Sequence, residues 1–131
     1  MATSPPSRCS RADEWVAKWP GARQYAVFLS VSDSFAGEPM GTPRFNRMVA
    51  EWITAWVKHL GEGDLQPEQL ILLLYDEPHE PRGYEIIKTW AIAVNAAQPR
   101  VTLFEDPTSS NPLEVDPTVW PELDILCPNL P

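Results

Sequence analysis

Residues Leu70-Ile71-Leu72-Leu73-Leu74-Tyr75-Asp76-Glu77-Pro78 constrain this chain more than any other segment. Five consecutive aliphatic side chains end abruptly in two carboxylates and a proline. A short, continuous apolar run between turn signals suits a strand buried on both faces of a parallel sheet. Pro78 has no N–H and drives its predecessor out of helical geometry, so the strand has to stop before it. The pair Asp76-Glu77 is thereby expected at the carboxyl end of a buried strand, the rim where α/β folds bind ligands.

The flanking sequence alternates strand and helix patterns. Residues 24–31 read as a strand, followed by a polar, turn-rich segment from Ser32 to Gly41. Thr42 is a candidate N-cap and Pro43 suits the first helical position. Phe45, Met48, Val49, Trp52, Ile53, Trp56, Val57 and Leu60 then recur at helical spacing, with Gly61 and Gly63 as the stop. A strand over 69–75 and a loop from Asp76 to Gly83 precede a second helix over 83–97, ended by Pro99. Strands are expected over 101–104 and 123–127, and 108–120 reads as a loop with at most one helical turn. Residues 1–22 read as a disordered or weakly ordered arm in which Trp15, Val16 and Trp19 could form one amphipathic turn. Residues 23–131 form the domain. Such alternation implies right-handed βαβ units and a parallel sheet.

Composition excludes several functions. Ten basic residues against 18 acidic ones give a net charge of −8. That balance disfavours nucleic acid and anionic membranes, which demand a basic footprint. No run approaches the roughly eighteen apolar residues of a membrane span, and residues 1–11 lack the apolar core of a secretory signal. Cys9 and Cys127 lie at opposite ends without metal-ligand spacing, and a disulfide framework is not expected. There is no glycine-rich phosphate loop, zinc spacing or nucleophile-elbow motif. No metal or cofactor is implied.

Each expected strand is followed by polar residues: Ser32, Asp33 and Ser34; Asp76, Glu77 and His79; Glu105 and Asp106; Asn129. In a parallel sheet these ends share one rim. Polar loops and helix caps explain most of them individually. Asp76-Glu77 stands apart, because adjacent carboxylates at a buried strand end repel each other and resist desolvation. One of the two is expected to be shifted upward, as a general acid requires. The alternative is a capping Asp76 beside a solvated Glu77. His79 is either a base or a solvated loop residue, and Glu80 reads as solvent-facing. Trp52, Trp56 and Trp90 sit at core spacing, whereas Trp120 lies outside that pattern.

Leu72–Pro78, the helix 83–97, Val-Thr-Leu-Phe-Glu-Asp-Pro at 101–107 and Val-Asp-Pro-Thr-Val-Trp-Pro-Glu-Leu-Asp-Ile-Leu-Cys-Pro at 115–128 together resemble glycoside hydrolase family 123 and uncharacterised bacterial proteins with a related catalytic domain. The resemblance runs over about residues 24–130. It implies a (β/α)8 (TIM-type) barrel that cleaves β-N-acetylhexosaminides, N-acetylgalactosamine-like, by substrate-assisted retention, an exception to the two-carboxylate scheme. The substrate's acetamido oxygen would attack its own anomeric carbon. Glu77 would protonate the leaving oxygen and then activate water, while Asp76 would hold the acetamido N–H. Asp33, His79, Glu105, Asp106 and Asn129 would line the carbohydrate site. A complete barrel takes about 250 residues. The expected fold is therefore a partial barrel: about four parallel strands with helices on the outer face, open-edged and prone to self-association. A chain of this kind is a partial catalytic domain or, alternatively, a non-catalytic remnant serving as a carbohydrate-binding or assembly module; an unrelated small doubly wound domain is the third reading. As it stands the chain reads as cytoplasmic, although members of the family are often exported.

Overall fold

A computed structural model describes residues 8–108 and 111–128. The elements are α1 (Arg8–Lys18), β1 (Tyr25–Phe28), β2 (Ser34–Phe35), β3 (Glu38–Pro39), α2 (Pro43–Glu62), β4 (Leu70–Leu73), α3 (Pro81–Ala97), β5 (Thr102–Glu105), α4 (Pro112–Val115) and β6 (Ile125–Leu126). Single 3-10 turns occupy Pro67–Gln69 and Trp120–Glu122. The protein is an α/β fold whose four-stranded sheet runs β1-β4-β5-β6, with every neighbouring pair parallel. β2 and β3 form a separate antiparallel hairpin.

Strand periodicity assigns the faces. The register aligns Val27 with Leu72 and Leu72 with Leu103, so these three side chains share one face. They join one core cluster with Phe45, Val49, Ile53, Trp56 and Leu60 of α2 and with Ile86, Trp90, Ala91 and Val94 of α3. Both long helices therefore cover the same face of the sheet. Trp56 is fully buried, Trp90 nearly so, and Trp52 half-buried. Their rings meet edge-on or tilted, at 5.2 Å for Phe45–Trp90 and 6.0 Å for Trp52–Trp56, as the helical spacing predicts for core aromatics. A second cluster, Tyr84, Ile87 and Val119, seats the segment before β6 against α3.

α2 begins where expected. The Thr42 hydroxyl accepts from Phe45 N–H at 3.1 Å and donates to the Pro39 carbonyl at 3.0 Å, joining the hairpin to the helix start. Its other end is capped by Gly63, the second of the two expected stop residues. The helix runs through Gly61, and Asp64 rather than a glycine takes the left-handed position, with φ 66°. Leu65 N–H then bonds Leu60 O at 3.1 Å and Asp64 N–H bonds Gly61 O at 3.0 Å, the paired bonds of a Schellman end.

The N-terminal segment also departs from expectation. Where the sequence reads as an arm with one turn, Arg8–Lys18 forms a helix. Tertiary partners explain it. Ala12 is buried, Asp13 pairs with His59 of α2 at 2.8 Å, and Tyr25 Oη donates to the Trp19 carbonyl at 2.6 Å. The strands are shorter than their apolar runs, although bonds from Leu29 N–H to Leu73 O and from Val31 N–H to Leu74 O prolong the β1–β4 pairing. Cys127 falls just beyond β6 as an exposed free thiol. Among the described residues no helix is long and apolar enough to cross a membrane.

Candidate functional site: the carboxyl rim

β4 is a central strand, and the chain leaves it at the carboxyl rim through Tyr75, Asp76, Glu77 and Pro78. Asp76 and Glu77 are both exposed. β5 is the parallel neighbour of β4, so the residues that follow it run beside this turn. The contact is built from four bonds. Glu105 Oε1 accepts from Tyr75 N–H at 3.1 Å. Asp106 Oδ1 accepts from Glu77 N–H at 2.9 Å. Thr108 Oγ1 donates to the Glu77 carbonyl at 3.5 Å, and Thr108 N–H donates to the Pro78 carbonyl at 3.1 Å. Within this frame Glu77 has φ 50°, a left-handed conformation uncommon for a residue with a Cβ.

The electrostatics follow from burial. Glu105 ends β5 on the face that carries Leu103 and is fully buried, the one charged residue type in a core that is otherwise apolar among the described residues. Its Oε2 has no hydrogen-bond partner among the described residues. Burial pushes its carboxyl up to about 8, the Asp106 charge adds to the shift, and the Tyr75 N–H partly offsets it. Burial also raises Asp106; the Glu77 N–H opposes that shift, and the neighbouring Asp76 carboxyl adds to it. The upward shifts at this rim thus belong to Glu105 and Asp106.

The other expected site residues are placed as follows. Asp33, exposed after β1, pairs with Arg82 at 3.2 Å, and Arg82 also holds Glu85 at 2.8 Å. His79 is exposed; its Nδ1 lies 3.2 Å from the Glu77 carbonyl oxygen and its Nε2 3.6 Å from Glu80. Glu105 and Asp106 are therefore bonded to the turn that carries Asp76 and Glu77, and Arg82 in the first turn of α3 holds Asp33. Asn129 lies outside the described residues. Arg82 and Thr108 are the rim residues that sequence reasoning passed over. Arg82, in the first turn of α3, is the one Arg or Lys between β4 and Lys88, a signal available in the sequence; the position of Thr108 depends on strand adjacency alone. Trp120 is half-buried and meets Tyr84 edge-on at 5.4 Å, which makes it a packing residue. No group of three or more His, Cys, Asp or Glu among the described residues is arranged to hold a metal ion. The chain matches no protein-family model and no curated protein.

Proposed function

We propose that the chain is a glycoside hydrolase-type domain, part of a (β/α)8 barrel, acting on β-N-acetylhexosaminides by substrate-assisted retention. The carrying observation is the adjacent, exposed carboxyl pair Asp76-Glu77 at the carboxyl end of a central parallel strand, its turn braced by the residues after the next strand. Barrel units add strands in sequential order with their helices on one side. The order β1-β4-β5-β6 with α2 and α3 sharing a face is consistent with that pattern. Adjacency of the two carboxyls suits the chemistry, since the acetamido group and the glycosidic oxygen both flank the anomeric carbon.

In the proposed reaction Glu77 gives its proton to the leaving oxygen as the C1–O bond breaks. The acetamido carbonyl oxygen forms the new bond to C1 and Asp76 accepts the acetamido N–H. Water then attacks C1, passes a proton to Glu77 and restores the acetamido group. The two edge strands of the sheet, β1 and β6, favour self-association of the chain.

The test is hydrolysis of an aryl N-acetyl-β-galactosaminide. Turnover by the purified chain is expected well below about 1 s⁻¹, the low end of ordinary enzymes. Glu77→Gln should reduce it by at least ~10²-fold. Asp76→Asn should impair this substrate more than the matching aryl β-galactoside, which lacks the acetamido group. Equal rates on both glycosides, or turnover indifferent to Glu77→Gln, would exclude the proposal.

A further inference from the structure

Two consecutive residues at the end of β5 hold two alternate amides of the turn that carries the candidate carboxyl pair. Glu105 takes the N–H of Tyr75 and Asp106 takes that of Glu77. Both acceptors are partly or wholly removed from water, and Glu105 is fully buried. A buried acid is costly unless it is hydrogen-bonded, and the Oε1 of this one accepts from the turn. Glu77 meanwhile occupies a left-handed conformation at φ 50°, which persists only when surrounding contacts enforce it. Asp106 and Thr108 hold its N–H and its carbonyl, beside the His79 ring nitrogen on that carbonyl. Asp106 also neighbours the Asp76 carboxyl, which adds to its upward shift.

We infer that Glu105 and Asp106 are positioning residues: together they lock the Tyr75–Glu77 turn, hold Glu77 left-handed and aim the Asp76 and Glu77 carboxyls outward from the rim. This inference rests on the proposed glycosidase reading for what the turn is aimed at, and on the bonds alone for the locking. It gives Glu105 and Asp106 a role different from the sugar contact that the resemblance implies. Asp106 acts through Glu77 N–H. Glu105 acts through Tyr75 N–H, one step closer to the strand.

Nuclear magnetic resonance of the intact chain separates this from ordinary packing. The wild-type Glu77 amide should show the strong intraresidue HN–Hα cross-peak of a left-handed residue and slowed hydrogen exchange. In Asp106→Ala, exchange at Glu77 should accelerate at least about tenfold, the value of one hydrogen bond to a charged acceptor, and the cross-peak should weaken while the core resonances stay in place. Asp106→Asn should restore both, because its amide oxygen still accepts from Glu77 N–H and its NH2 can donate to Asp76. Glu105→Gln keeps an acceptor for Tyr75 and should leave the Tyr75 amide protected. A Glu77 amide unmoved by Asp106→Ala, or lost equally in Asp106→Asn, overturns the inference. Titration with N-acetylgalactosamine tests the parent reading separately: if the lock passes but no resonance of Asp76 or Glu77 moves with the sugar, the glycosidase reading falls and the lock stands.

Discussion

A single side chain, Glu105, makes this protein's stability depend on pH in a defined direction. The unfolded chain gives up that proton near 4.5 and the folded chain near 8. Between those values the folded state binds the extra proton, so stability falls as pH rises through the window and levels off above it. The slope approaches about 1.4 kcal/mol per pH unit where the two states differ by a full proton. Glu105→Gln removes that group. Urea unfolding at pH 5 and pH 8.5 should show wild type losing stability relative to Glu105→Gln across the interval; parallel curves would mean that the carboxyl is ionised throughout. Residue types at the rim were legible in the sequence, since Asp76, Glu77, Glu105 and Asp106 all follow apolar runs. Their division of labour was not. Asp76 and Glu77 face solvent while Glu105 is enclosed, and that difference depends on which face of β5 the final residue takes and on what packs over it.

At the scale of elements, α2 shows how local chemistry sets a boundary and how context can move one. Thr42 caps the start through its hydroxyl, which also reaches the carbonyl that ends β3. Thr42→Ala should cost about 1 kcal/mol, the usual loss of a cap, and Thr42→Ser should recover most of it in thermal or denaturant unfolding. The other end stops at Gly63, its C-cap, while the left-handed position goes to Asp64. Leu65 packs against the core and its N–H closes onto Leu60, so the chain reverses at Asp64 and Gly61 stays helical. The hairpin β2–β3 was read only as a turn-rich stretch. Its two-residue loop places Ala36 at φ 49° and Gly37 at φ 86°, the conformation that matches strand twist; Ala36 is an unusual occupant and carries little signal. α1 was missed for a related reason. An isolated helix of that length is marginal in water, and what holds this one is tertiary: β1, which follows it closely, and His59 of α2, far along the chain.

For the whole molecule, Leu72 is the point where the layers meet. It pairs with Val27 on one side and Leu103 on the other, is fully buried and belongs to the cluster formed with α2 and α3. Leu72→Ala should destabilise the fold by about 2–5 kcal/mol. Because helices and sheet share one continuous core, the loss should appear as a lower midpoint in a single cooperative transition. Separate melting of the helices and the sheet, monitored by circular dichroism and tryptophan fluorescence, would contradict that picture.

The sequence by itself determined the alternation of strands and helices, the apolar stripe of α2, the stop at Pro78 and the parallel sense of the sheet. Each follows from local periodicity, from backbone restrictions at proline, or from the connection length that a parallel pair needs. The tertiary structure decided what depends on neighbours far along the chain. β5 lies beside β4, and only that adjacency brings Glu105 and Asp106, some thirty residues downstream, onto the amides of Tyr75 and Glu77. A period of two or 3.6 assigns a residue to a face; it does not say which strand stands next to it. The bonded network at the rim is a property of sheet order, and sheet order is fixed when α2 and α3 cover one face together.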